Sequence, residues 1–92
     1  MYRILLADDE GIVLNSLSFL IEKNYSGQFE IETAKSGRSA IEMAENFRPD
    51  IIFMDIQMPG INGIDAMKEI RGFLPSVIFV VLTAYDKFDY AK

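Results

Sequence analysis

Four short apolar runs punctuate the chain at similar intervals, at residues 4–7, 29–34, 51–54 and 77–82. The first, third and fourth are nearly continuous, which suits strands buried on both faces of a parallel sheet. The second alternates as Phe29, Glu30, Ile31, Glu32, Thr33. Alternation predicts a half-exposed strand near a sheet edge.

The stretches between these runs carry helical spacing. In residues 12–25, Val13, Leu17, Leu20, Ile21 and Tyr25 fall on one face. Ser36 is placed to cap a second helix reaching Phe47, with Ala40, Ile41, Ala44 and Phe47 facing inward and Pro49 beyond its end. Asn62, with Asp65 three places on, caps a third helix that runs to Arg71, with Gly72 as its stop. Pro75 then introduces the fourth strand. Asp86 begins what reads as two turns of a fourth helix, where the chain stops. Strand and helix in strict alternation predict an α/β fold with parallel strands and right-handed crossovers. No linker, low-complexity stretch or sequence repeat interrupts residues 1–92, which read as one small domain.

Composition narrows the function classes. Half of the 92 residues are apolar, enough for a core, although a domain this short has little stability to spare. The formal charge of −5 argues against direct binding of nucleic acid or of an anionic membrane surface. With neither Cys nor His, the chain has no disulfide, no thiolate metal site and no histidine base. The apolar run at the N-terminus is too short for a signal peptide or a membrane span, and acids follow at once. A cytoplasmic protein is expected.

The candidate chemistry sits at the strand ends. In a parallel α/β sheet, ligands bind beyond the carboxyl ends of the strands, where strand order reverses. Strand one runs into Asp8, Asp9 and Glu10, strand three into Asp55, and strand four into Thr83 and Ala84. If strands one and three are neighbours, three carboxylates crowd one rim and repel one another. A divalent cation resolves that repulsion, and an all-oxygen donor set points to Mg2+ or Mn2+. An Asp beside such a cation is a nucleophile toward phosphorus. The Thr83 hydroxyl and the Ala84 N–H are donors for the resulting acyl phosphate. The segment from Met58 to Gly63 is a Pro- and Gly-shaped turn leading away from the acceptor. Each feature has a plain structural reading when taken alone: a solvated Asp-Asp turn, a strand-end Asp or Thr, methionines at 43, 54, 58 and 67 as core filler. Their coincidence at one rim favours a site.

Three segments carry a family resemblance: residues 4–10 (ILLADDE), 50–63 (DIIFMDIQMPGING) and 80–84 (VVLTA). In order and spacing they resemble the response-regulator receiver domains of bacterial two-component systems. The resemblance implies a flavodoxin-like doubly wound sheet of order 2-1-3-4, followed in the family by a fifth strand and helix. It implies that Asp55 takes a phosphoryl group from the phosphohistidine of a sensor histidine kinase. It also implies that Asp9 binds Mg2+ directly, Asp8 through water, and Gln57 through its backbone carbonyl, and that Thr83 is the switch hydroxyl. Residues 83–92 look like receivers that precede an AraC-type DNA-binding domain, so a transcription output domain outside this chain is expected. The family's phosphate-pairing Lys is absent from these 92 residues, and Lys87 is not assigned its role. Ending within the fourth helix, the chain reads as an incomplete receiver. Its strand at 77–82 would be an unprotected edge, covered by a homodimer, by a strand swap, or by the rest of a longer protein. Two other functions compete. An Asp-nucleophile phosphohydrolase would need an acid two residues after Asp55, where Gln57 stands. A structural (βα) fragment would leave the strand-one acids unexplained.

Overall fold

The computed structural model describes residues 1–82. Seven elements alternate: β1 (Tyr2–Ala7), α1 (Gly11–Asn24), β2 (Phe29–Ala34), α2 (Gly37–Phe47), β3 (Ile51–Asp55), α3 (Gly63–Phe73) and β4 (Ile78–Leu82). The four strands form one parallel sheet in the order β2-β1-β3-β4. This is the expected doubly wound α/β arrangement. The order reverses between β1 and β3, so the carboxyl ends of those two strands open onto the topological switch point. The expected helix beginning at Asp86 lies outside the described residues.

Alternation along β1 divides its side chains between two layers. Leu5 and Ala7 join the larger core, where α2 and α3 cover the sheet through Ala40, Ile41, Ala44, Ala66 and Ile70. Ile4 and Leu6 point the other way and meet Leu14 of α1. Small residues on α2 and α3 let the two helices lie close to each other and to the sheet. Four of the five methionines behave as core filler: Met54 and Met58 are buried, while Met43 and Met67 pack against the same cluster.

The caps follow the sequence. The Ser36 hydroxyl accepts from the Ser39 N–H at 3.0 Å, and Asn62 Oδ1 accepts from the Asp65 N–H at 2.9 Å. Each cap satisfies a backbone donor that its helix leaves unpaired. Helix α2 closes at Arg48 in the left-handed conformation, with φ 54°, just before Pro49.

Three expectations need correction. Gly72 does not stop α3, which continues to Phe73 with Leu74 as its C-cap. Leu74 is buried and donates its N–H to the Ile70 carbonyl at 2.8 Å, so core contacts carry the helix past the glycine. On α1 the buried residue is Leu14, flanked by half-buried Val13, Leu17 and Ile21, whereas Leu20 and Tyr25 are exposed. The packed stripe is narrower than the apolar one, because among the described residues α1 meets that side of the sheet without a neighbouring helix. Burial on both faces holds for β1, but Ile51 and Phe53 of β3 are half-buried, and Ile78, Val80 and Val81 of β4 are exposed. Helix α1 lies over β1 and β2 and does not reach β4.

Candidate functional site

The ladder that builds the sheet also places the acids. Ala7 pairs with Ala34 on one side and Met54 on the other, so Asp8 leaves β1 at the height where Asp55 ends β3. The Asp8 N–H still donates to the Ala34 carbonyl, at 3.0 Å, which holds the first acid in strand-like register. Its side chain is buried, with 5% relative exposure, and Oδ1 accepts from the Glu10 N–H at 2.9 Å where α1 begins. Asp9, one residue on, faces solvent. Asp55 is half-buried and its Oδ1 accepts from the Gln57 N–H at 3.1 Å.

One carboxylate oxygen from each of Asp8, Asp9 and Asp55 lies within 4.8 Å of the other two. No ion pair joins any of the three to a cation among the described residues. Burial pushes the Asp8 carboxyl above its ordinary range, and the neighbouring Asp9 charge pushes it further. Burial likewise raises Asp55, with the Asp8 and Asp9 charges adding to it. The backbone N–H groups of Glu10 and Gln57 work against these shifts but do not cancel them. The cluster therefore holds excess negative charge partly withdrawn from water. A hard divalent cation fits this set: all donors are oxygens, the number of carboxylates is small, and one flank is open for water and phosphate ligands.

The turn after Asp55 is tightly determined. The Met58 side chain inserts into the core. Gly60 turns the chain at φ +77°, a conformation in which other residues are strained. Asn62 then caps α3, and the Gly63 N–H donates to the Ile56 carbonyl at 2.8 Å. A Cβ at Gly63 would fall on the Asp55 carbonyl and stand 2.8 Å from Ile56 Cα. Only a glycine lets α3 start this close to the end of β3.

Asp8, Asp9 and Asp55 are thus brought together as expected, and the Gln57 backbone is tied to Asp55 by the bond just described. Thr83 and Ala84 lie outside the described residues. Gly63 had been read only as part of a turn, although a glycine where a helix begins is a poor helix former and so a signal of close backbone approach.

Comparison with known proteins agrees with this architecture. Residues 4–92 match the response regulator receiver domain family. The chain is 40% identical over 92 residues to the transcriptional regulatory protein YesN of Bacillus subtilis, covering all of this chain and 25% of that protein. Among solved structures, the REC domain of AraT, a response regulator from Geobacillus stearothermophilus, superposes with a TM-score of 0.84 at 36% identity. That match covers 98% of this chain and 70% of the other. A two-component transcriptional regulator AraC from Clostridium phytofermentans gives a TM-score of 0.82 at 29% identity, covering 100% of this chain and 71% of that one. The chain belongs to the response regulator receiver domain family. It spans a quarter of the length of YesN and 38% of LnrK, another Bacillus subtilis transcriptional regulatory protein. No helix among the described residues is long and apolar enough to cross a membrane.

Proposed function

We propose that this protein is the phosphoacceptor module of a two-component response regulator, with Asp55 taking the phosphoryl group in a Mg2+-dependent reaction. The observation that carries this reading is the convergence of Asp8, Asp9 and Asp55 within 4.8 Å at the switch point of the sheet. Family membership supports it independently.

Asp8 and Asp9, together with the Gln57 carbonyl and an Asp55 oxygen, are the groups that would hold Mg2+, with Mn2+ as a substitute. The cation supplies charge neutralisation for the phosphoryl oxygens. The other Asp55 oxygen attacks phosphorus in line with the leaving group. The donor is a phosphohistidine of a sensor histidine kinase: the new P–O bond forms as the P–N bond breaks, and the departing imidazole nitrogen takes a proton. The Gln57 N–H keeps the acceptor carboxylate oriented through Oδ1. The Thr83 hydroxyl and the Ala84 N–H are assigned to the phosphoryl oxygens of the product. The protein is a switch and not an enzyme; Gln57 stands where a phosphohydrolase would need its acid.

The chain's similarity to transcriptional regulatory proteins supports a transcription output for the whole protein; we assign it to the cytoplasm, with nucleic acid met by another segment. The acidic charge of this chain agrees with that division. The outer edge of β4, with Ile78, Val80 and Val81 exposed, is proposed to receive a further strand. If that strand comes from a second copy, by pairing or swapping, light scattering will report a dimer.

The test is incubation with acetyl phosphate and Mg2+, followed by intact mass measurement. The expected result is gain of one phosphoryl group, lost in EDTA and lost in Asp55→Asn. An unmodified wild-type protein at saturating Mg2+ would sink the reading.

A further inference from the structure

The turn between β2 and α2 touches both halves of the site, although none of its residues reaches the acids by side chain. At its start, the Ala34 carbonyl accepts the Asp8 N–H at 3.0 Å. Three residues on, buried Gly37 opens α2 directly against the loop that follows Asp55. A Cβ at Gly37 would fall on the Ile61 carbonyl oxygen, stand 2.9 Å from Ile61 Cβ and lie 3.1 Å from the Ile61 carbonyl carbon. Two of those three atoms are backbone and cannot swing aside. The loop itself has little freedom to retreat: Met58 is seated in the core, Gly60 is left-handed, and Asn62 is committed to the α3 cap. Displacing Ile61 therefore carries the segment between Gln57 and Asn62 with it.

Helix propensity offers no reason for a glycine here. Glycine is among the poorest helix formers. Gly72 of the same chain provides the contrast, since a Cβ there meets nothing within 4 Å.

We infer that Gly37 is a positioning residue for the acceptor loop: by letting the Ile61 backbone seat against the start of α2, it sets where Asp55 and the Gln57 carbonyl stand relative to Asp8 and Asp9. The inference rests on the phosphoacceptor reading given above. Gly37 touches neither donor nor metal. It acts through Ile61.

The experiment follows acetyl phosphate turnover onto Asp55 in wild type, Gly37→Ala and Gly72→Ala, at saturating Mg2+ and normalised to folded protein by circular dichroism. In the reaction the Asp55 oxygen forms the P–O bond as acetate leaves. Displacing a reacting group by about 1 Å costs on the order of 100-fold in rate, so Gly37→Ala is expected to fall by about 10- to 100-fold, with a weaker Mn2+ affinity. Gly72→Ala is expected to match wild type. A purely structural role for Gly37 would lower the unfolding midpoint and leave the rate per folded molecule unchanged, and that result overturns the inference. Should Gly37→Ala fail to fold, Ile61→Gly tests the same seat, by removing the Ile61 Cβ that packs against Gly37 and freeing the loop backbone there. It is expected to slow phosphorylation at saturating Mg2+ in a folded protein, and an unchanged rate there overturns the inference too. A wild-type protein that takes no phosphoryl group overturns the receiver reading itself, and with it this inference; wild-type reactivity with an indifferent Gly37→Ala overturns the inference alone.

Discussion

Among the described residues, the two faces of the sheet differ in how much they bury. On one face α2 and α3 close over a continuous core that runs from Leu5 to Val77 and takes in Met58 from the acceptor loop. On the other, α1 is the helix among the described residues that covers Ile4 and Leu6, and its buried contribution is Leu14. Asp55 follows Met54, which faces the closed side, and the loop after it is fixed to that side through Met58, Gly37 and Gly63. Asp8 and Asp9 instead lead into α1, the lightly packed side. Among the described residues, Asp55 thus ends on the more extensively packed layer, while Asp8 and Asp9 lead into the layer with the smaller buried cluster.

Core truncations break this contrast most directly. Ile70→Ala on α3 removes a fully buried side chain and is expected to cost about 2–5 kcal/mol in urea unfolding. Leu17→Ala on α1 removes a half-buried one and is expected to cost no more than about 1–2 kcal/mol. Equal losses from the two would erase the difference between the faces. Next in size, Asn62→Ala deletes the α3 cap beside the acceptor loop and should cost about 1 kcal/mol. A loss indistinguishable from zero would mean that the loop does not depend on that cap. Smallest, and of opposite sign, Gly72→Ala adds a methyl group into open space in a helix and should stabilise by about 0.4–1 kcal/mol.

The acid cluster adds a pH dependence. Folded Asp8 and Asp55 both titrate above their ordinary value of 3.8. A carboxyl raised in the folded state binds its proton more tightly there than in the unfolded chain. Its contribution is present in acid, below the unfolded value, and is lost as pH rises through the folded one. In EDTA these two groups therefore favour the fold in acid and oppose it near neutrality. Mg2+ should offset that opposition, so the Mg2+-minus-EDTA difference in melting temperature is expected to grow from weakly acidic to neutral pH. Asp8→Asn should flatten the EDTA curve. A difference independent of pH would contradict the charge crowding inferred at the rim.

Much of this was legible in the residues. The element order, the half-exposed β2, the caps at Ser36 and Asn62 and the grouping of Asp8, Asp9 and Asp55 all follow from periodicity and position, because each is set by local chemistry or by parallel-sheet topology. What escaped depended on packing between distant segments. Nothing near Gly72 in sequence reveals that Leu74 is buried and pulls α3 onward. The apolar stripe of α1 does not say how much of it the sheet covers, so Leu20 and Tyr25 were placed inward. The roles of Gly37 and Gly63 arise from contacts with Ile61 and Asp55, invisible until the loop is folded against them.

In the proposed reaction Asp55, and no other acid at this rim, becomes the acyl phosphate. Borohydride reduction of protein treated with acetyl phosphate and Mg2+ converts a phosphorylated aspartate to homoserine, and peptide sequencing by mass spectrometry locates it. Homoserine is expected at position 55, with Asp8 and Asp9 unmodified. Homoserine at position 8 or 9, or none in a protein shown to bind Mg2+, would contradict it.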